Sequence, residues 1–204
     1  MPQFILFMKR LFILALLLLS GCVQLPPIPP MPTKQLDSWH LNGRIAISTE
    51  YENWTVKVDW QQRGTAYQLR LNSPLGQGAL LLEGDENGVV MHTADKKTFK
   101  ASDPDTLIAE VLKLEFPVNN LHAWIRGLSA PNSYLQWYTL NDAGHLEQLR
   151  QDGWEVDYKR YIKVDGFDLP NLMVLENDEF KVKIAISQWQ LSAVPFKTLL
   201  SNRH

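Results

Sequence analysis

The chain has 204 residues, 45% of them hydrophobic and 21% charged, with a formal net charge of −2. That balance belongs to folded chains and excludes a disordered one; the absence of a basic excess argues against generic binding to a nucleic-acid backbone. A single cysteine excludes an intramolecular disulfide and a cysteine-cluster metal site. Seven tryptophans within 10% aromatic residues predict a large apolar surface, buried or ligand-facing.

The first residues read as an address. Lys9 and Arg10 precede nine apolar residues, Leu11 to Leu19. As a helix that run reaches only about 14 Å, short of a hydrocarbon core about 30 Å thick. It predicts a secretory signal rather than a transmembrane helix. Leu19-Ser20-Gly21-Cys22 then resembles the bacterial lipobox, in which small residues admit a peptidase and the cysteine thiol receives a diacylglyceryl group. The alternative is a buried cysteine beside an ordinary cleavage site; the basic pair, apolar run and box together favour lipidation at Cys22. In lipoproteins that carry this box, an Asp after the cysteine commonly retains the protein in the inner membrane. Val23 stands there instead, which implies the inner leaflet of a Gram-negative outer membrane, with the domain in the periplasm.

Five prolines between Val23 and Thr33 favour extended polyproline II, a semi-stiff spacer. The expected organisation is a signal peptide over 1–21, a lipidated cysteine and proline-rich tether over 22–33, and one domain over 34–204.

That domain reads as β-rich. Trp54, Val56, Val58 and Trp60 alternate with polar residues, as do Tyr67, Leu69 and Leu71; Leu41, Gly43, Ile45 and Ile47 do so less cleanly. Further strands are predicted over 78–83, 88–92 and 96–101, separated by turn residues such as Arg63-Gly64 and the run from Gly84 to Gly88. The period then changes. Ser102 and Asp103 offer caps, Pro104 suits a first helical turn, and Leu107, Ile108, Val111 and Leu112 form one stripe that Phe116-Pro117 closes. A second helix is predicted from Asn119 or Asn120, carrying Leu121, Trp124 and Ile125, with Gly127 as its cap. Strands resume over 134–140, 145–151, 154–161, 171–176 and 180–190. Eleven strands joined by tight turns imply an antiparallel meander, with the helices inserted after the sixth. Whether the sheet closes is not legible from the strands.

Motifs for chemistry are missing. The sequence holds no nucleophile elbow, no zinc-protease pair and no phosphate-cradling glycine loop. The five histidines fall at no metal-ligand spacing, and His122 is predicted to be a solvated helix residue. Asp103 and Asp105 are better explained by a helix N-terminus than by acid–base chemistry. No enzyme, cofactor or metal is expected.

One loop is unusual. Asn72-Ser73-Pro74-Leu75-Gly76-Gln77 places Leu75 between a proline and a glycine, so the turn should project it. Three readings stand: a membrane or partner contact, an exposed leucine with no role, or a leucine folded back onto the core.

The lipobox, Gly43-Arg44, Trp60-Gln61-Gln62, the Asn72-to-Gly76 loop, Leu121-x-x-Trp124-Ile-x-Gly127-Leu128 and the strand from Phe180 to Trp189 occur in one order. Together they resemble the LolB family of outer-membrane lipoprotein receptors. The resemblance implies an unclosed, eleven-stranded antiparallel half-barrel under a helical lid. Its apolar concave face would receive acyl chains of cargo lipoproteins from a soluble periplasmic carrier of the LolA type and pass them to outer-membrane lipid. It implies a lipid anchor at Cys22, which the soluble carrier lacks, and a membrane-inserting loop at Pro74, Leu75 and Gly76. No nucleic acid is expected, and the chain is expected to act as a monomer.

The candidates for the cavity wall are Ile45, Ile47, Trp54, Val56, Val58, Trp60, Tyr67, Leu69, Leu71, Leu107, Ile108 and Trp124. For each of them a filled barrel core explains the pattern equally well. Two rivals remain: a structural envelope lipoprotein, and a general lipid binder without transfer activity.

Overall fold

The computed structural model describes residues 32–73 and 79–191. Cys22, the tether up to residue 31, and Pro74, Leu75 and Gly76 lie outside the described residues. A 3₁₀ turn at Pro32–Gln35 leads into β1 (Ser38–Ser48), β2 (Asn53–Arg63), β3 (Ala66–Asn72), β4 (Ala79–Asp85), β5 (Gly88–His92) and β6 (Thr98–Ala101). Helices α1 (Pro104–Leu112) and α2 (Val118–Trp124) follow. The chain then continues through β7 (Leu135–Leu140), β8 (Leu146–Gln151), β9 (Trp154–Val164), β10 (Phe167–Glu176) and β11 (Lys181–Gln190).

The alternation in β2 becomes an inner and an outer face. Leu41 of β1 sits opposite Trp60 of β2 and, on its other side, opposite Trp189 of β11. β11 thus returns to pair with β1, and the sheet runs β6-β5-β4-β3-β2-β1-β11-β10-β9-β8-β7, antiparallel throughout. Its free edges are β6 and β7. The helices leave the first edge and the chain re-enters at the second, so this segment has to cross the open side of the curved sheet. Fold class and lid position agree with the sequence expectation.

Strand twist and bulges curve the sheet. At Asn42/Gly43 the β1–β11 register shifts. A Cβ at Gly43 would collide with the Ala185 carbonyl oxygen, so only glycine allows β1 and β11 to approach there. β10 begins earlier than the sequence predicted. Pro170 lacks a ladder donor and disguised the strand, but the register shifts beside it, and its carbonyl accepts the Trp189 indole N–H at 3.0 Å.

The first helix starts as expected. Asp103 is its cap and accepts from the Thr106 amide at 2.9 Å, with Pro104 in the first turn. The second starts at Val118, and its end is closed by Gly127 at φ 76°. Among the described residues, no helix is long and apolar enough to cross a membrane.

Candidate functional site

A void of about 80 Å³ lies between the sheet and the lid, lined only by apolar side chains. Its wall comes from the N-terminal half of the sheet: Ile45 and Ile47 of β1, Val56 and Trp60 of β2, Leu69 and Leu71 of β3, and Leu80 and Leu82 of β4. Its roof is Ile108 and Leu112 of α1, the connection through Leu114 and Phe116, and Val118 and Leu121 of α2; Phe180 borders it before β11.

Seven residues singled out from the sequence therefore meet there: Ile45, Ile47, Val56, Trp60, Leu69, Leu71 and Ile108. Five others do not line it. Trp54 lies near the β1–β2 hairpin, half-exposed and outside the packed core. Val58 sits opposite Gly43 at the register shift and is packed as core. Tyr67 lies across from Gly84, its ring where a Cβ would stand, and faces His122. Leu107, at 1% exposure, fills the core under α1. Trp124 belongs to a different structure altogether.

Trp124 is fully buried, and its indole donates to Gln151 Oε1 at 2.9 Å. The same oxygen accepts from the Ala130 amide at 2.9 Å, and Gln151 Nε2 donates to the Ala130 carbonyl at 2.9 Å. The Tyr158 hydroxyl donates to the Trp124 carbonyl at 3.0 Å. A buried amide satisfied on both sides fixes position strongly, since losing either partner strands a polar group. α2 is thereby tied to β8 and β9. Asn120 adds a bond to Asp152 at 2.8 Å.

α1 is held differently. Its polar ties run to α2: Asp103 accepts from Asn119 Nδ2 at 2.6 Å, and Asp105 accepts from the Asn119 amide at 3.0 Å. The carboxylate pair thus serves both helix starts, as the helix reading expected. Burial raises the Asp105 pKa, and the neighbouring Asp103 charge adds to it. Burial and these two carboxylates push Tyr67 up to about 12, so its hydroxyl stays protonated.

His122 corrects the sequence reading. Its ring is half-buried rather than free in solvent; it is walled by Trp60, Tyr67 and Trp39 at centroid distances of 5.0, 5.5 and 6.1 Å. Burial, then the Arg126 charge, lowers its pKa to about 4. Arg126 donates to the His122 carbonyl at 3.2 Å and to the Leu36 carbonyl at 2.8 Å, joining the end of α2 to the residue that follows the Pro32–Gln35 turn. The helical period placed His122 off the apolar stripe; the aromatic surroundings come from β1, β2 and β3 and have no local signal.

The wall residues not singled out beforehand were partly visible. Leu80 and Leu82 sit in a leucine run whose inward face alternation cannot mark. Phe116 looked like a helix stop because Pro117 follows it. Among the described residues, no group of three His, Cys, Asp or Glu could hold a metal.

The model of the family described as outer membrane lipoprotein LolB matches residues 37–189. The chain is 40% identical over 156 residues to the outer-membrane lipoprotein LolB of Ectopseudomonas mendocina, covering 76% of each chain. It is 34% identical over 197 residues to the protein of that name from Pseudomonas aeruginosa PAO1, covering 89% of this chain and 96% of the other. Two solved structures share the fold. One is a LolA superfamily protein from Nitrosomonas europaea, with TM-score 0.52 and 10% identity, over 79% of this chain and 89% of that one. The other is a domain of a lipoprotein-sorting protein from Vibrio parahaemolyticus, with TM-score 0.56 and 9% identity, over 80% and 89%. The chain belongs to the LolB family of outer-membrane lipoproteins.

Proposed function

We propose that this chain is a lipid-anchored outer-membrane receptor. It accepts lipoproteins from a LolA-type periplasmic carrier, shelters their acyl chains and inserts them into the inner leaflet. The observation that carries this reading is the void: wholly apolar, roofed by a helix whose polar ties run to its neighbour helix rather than to the sheet. Each acyl methylene left in water costs about 0.8 kcal/mol, so multi-chain cargo needs such shelter in the periplasm.

At about 80 Å³ the void is far smaller than a ligand pocket of about 300–1,000 Å³. The described conformation is therefore closed. Acyl chains enter when α1 and the connection through Phe116 swing away, while α2 stays pinned by Trp124 and Gln151. Cargo moves by binding and release down an affinity gradient, without catalysis and without nucleotide. The chain acts as a monomer; its free edges are short strands, β6 of four residues and β7 of six, which limits edge pairing.

Cys22 carries the lipid, with signal peptide 1–21 removed and residues 22–33 as tether to the domain. Pro74, Leu75 and Gly76 form the membrane-inserting loop. Burying one leucine is worth only about 1.5–3 kcal/mol, too little to anchor the protein and enough to bias the last handoff. The test is Leu75→Glu in a two-step transfer assay. The variant should fold and accept cargo from the carrier, yet deliver it poorly to liposomes. Normal delivery by a well-folded variant overturns the loop's role. Failure of cargo to displace an apolar fluorescent probe from the wild-type void overturns the receptor reading itself.

A further inference from the structure

The convex side of the sheet carries a second concavity, of about 590 Å³, that the transfer function does not use. Arg44 of β1 and Lys57 of β2 oppose each other directly across the strand pair. In the other direction Arg44 opposes Ala185, Ala185 opposes Leu172, and Leu172 opposes Arg160. Arg44, Lys57 and Arg160 all border this one depression, with Ala185 and Leu172 in the row between Arg44 and Arg160.

Like charges directly opposed across a strand pair destabilise a sheet, so this arrangement calls for a counter-charge. Among the described residues, no carboxylate lies within ion-pair distance of Arg44, Lys57 or Arg160. Asp59, two residues along β2 from Lys57, is engaged by His40 at 3.1 Å. Asp157, on the same face of β9, is engaged by Lys159 at 2.8 Å. Arg160 donates Nε–H to Asn171 Oδ1 at 2.8 Å, which orients the guanidinium without neutralising it. All three cations are exposed, on a chain whose net charge is negative.

We infer that this groove docks the phosphate headgroups of an anionic phospholipid bilayer. The inference rests on the membrane-anchored reading of the chain. Guanidinium and ammonium groups are the side chains that pair with phosphate. The tether supplies the proximity. From Cys22 to Pro32 the chain reaches at most about 36 Å. Arg44 lies six residues along β1 from Ser38, about 20 Å. Headgroups are thus within reach of the groove whenever the anchor is in the bilayer, at a high effective concentration. Docking this face sets the barrel with its back to the membrane. The lid and void then point towards the periplasm, where a carrier arrives.

The test uses the full lipidated chain in two kinds of vesicle: phosphatidylcholine alone, and equal parts phosphatidylcholine and phosphatidylglycerol. Acylation of Lys57 by an amine reagent is followed by mass spectrometry, with Lys113 on the lid side as reference. Lys57 labelling should fall about fivefold in the anionic vesicles, the factor expected for one cation held at an anionic surface. Lys113 labelling should not change. The double variant Arg44→Gln, Arg160→Gln should restore Lys57 labelling in the anionic vesicles. Equal Lys57 labelling in both vesicles overturns the inference, as does equal protection of Lys113. Protection of Lys57 by inorganic phosphate in phosphatidylcholine vesicles also overturns it, because the groove would then take a free anion rather than a bilayer. Failure of the chain to sediment with either vesicle is a separate result and overturns the anchoring reading.

Discussion

Leu146, Leu149, Val156, Leu169, Met173 and Leu175, all in the β7–β10 part of the sheet, have 0% exposure. In the N-terminal half Ile45, Leu69 and Tyr67 keep 6%, 4% and 8%, although Leu41 and Trp60 at 1% and Leu82 at 0% are buried as deeply as their counterparts. The two halves share strand alternation, antiparallel pairing and inward apolar faces. They differ in what lies across from them. The C-terminal half meets Trp124, Trp154 and Tyr158, with Gln151 holding α2 in place, and the space is filled. The N-terminal half presents branched aliphatic side chains and Trp60 to a helix whose polar ties, among the described residues, run to α2, and a void remains. Inward alternation specifies a face; the volume of what it meets decides between core and cavity.

The largest expected effect comes from removing the filler. Trp124→Ala should destabilise the fold by about 3–5 kcal/mol through lost burial and the cavity left behind. Losing the indole's bond to Gln151 Oε1, which keeps the Ala130 amide as a donor, adds about 0.5–1.5 kcal/mol. For a chain of this size that is a Tm loss of about 10 °C or more. A calorimetric loss below about 1 kcal/mol would show that α2 is held by something else, and the contrast between pinned and hinged helix would go with it.

That contrast marks the limit of what the sequence discloses. The period change after Ala101, the Asp103 cap and the turn glycines are local signals, and helices and strands fell close to where they predicted. Trp124 was visible as a large inward residue. Its assignment to core rather than cavity depends on Gln151, 27 residues away, and on Tyr158, 34 away. His122 is the sharper case. Its helical position indicated solvent, and three aromatic rings from other strands overrule that. The convex cation groove was equally hidden, because Arg44, Lys57 and Arg160 become neighbours only through the register of four ladders.

His122 offers the next test, through pH. Its folded pKa, about 4, lies below the ordinary value of 6.5, so the neutral ring is the form the fold favours. The stability it contributes is fully present above pH 6.5. It falls as the pH drops through that value towards 4, because the unfolded chain takes up the proton first. The loss should not exceed about 3 kcal/mol, and the ring's partial exposure reduces it. Urea unfolding at pH 7.5 and 4.5 should show this decline in the wild type. His122→Phe should flatten that part of the profile, since phenylalanine fills the aromatic niche and binds no proton. An unchanged profile would remove His122 from the account of how the lid is held.

The smallest expected change in stability tests the void itself, and it is small by design. Leu80→Phe adds volume to a wall residue that borders empty space, so the extra atoms have somewhere to go. Stability should change by less than about 1 kcal/mol, since no close-packed neighbour has to move. The same enlargement in the filled half, Leu149→Phe at a residue with 0% exposure, should cost about 1–3 kcal/mol by forcing its neighbours off their rotamers. Function should respond in the opposite order. Leu80→Phe takes up the space that acyl chains need and should weaken binding of an apolar probe, while Leu149→Phe leaves the wall intact and should bind the probe normally wherever it remains folded. Equal stability losses in the two variants would mean that the N-terminal half is packed as tightly as its counterpart. Undiminished probe binding by Leu80→Phe would place the acyl site outside the void altogether.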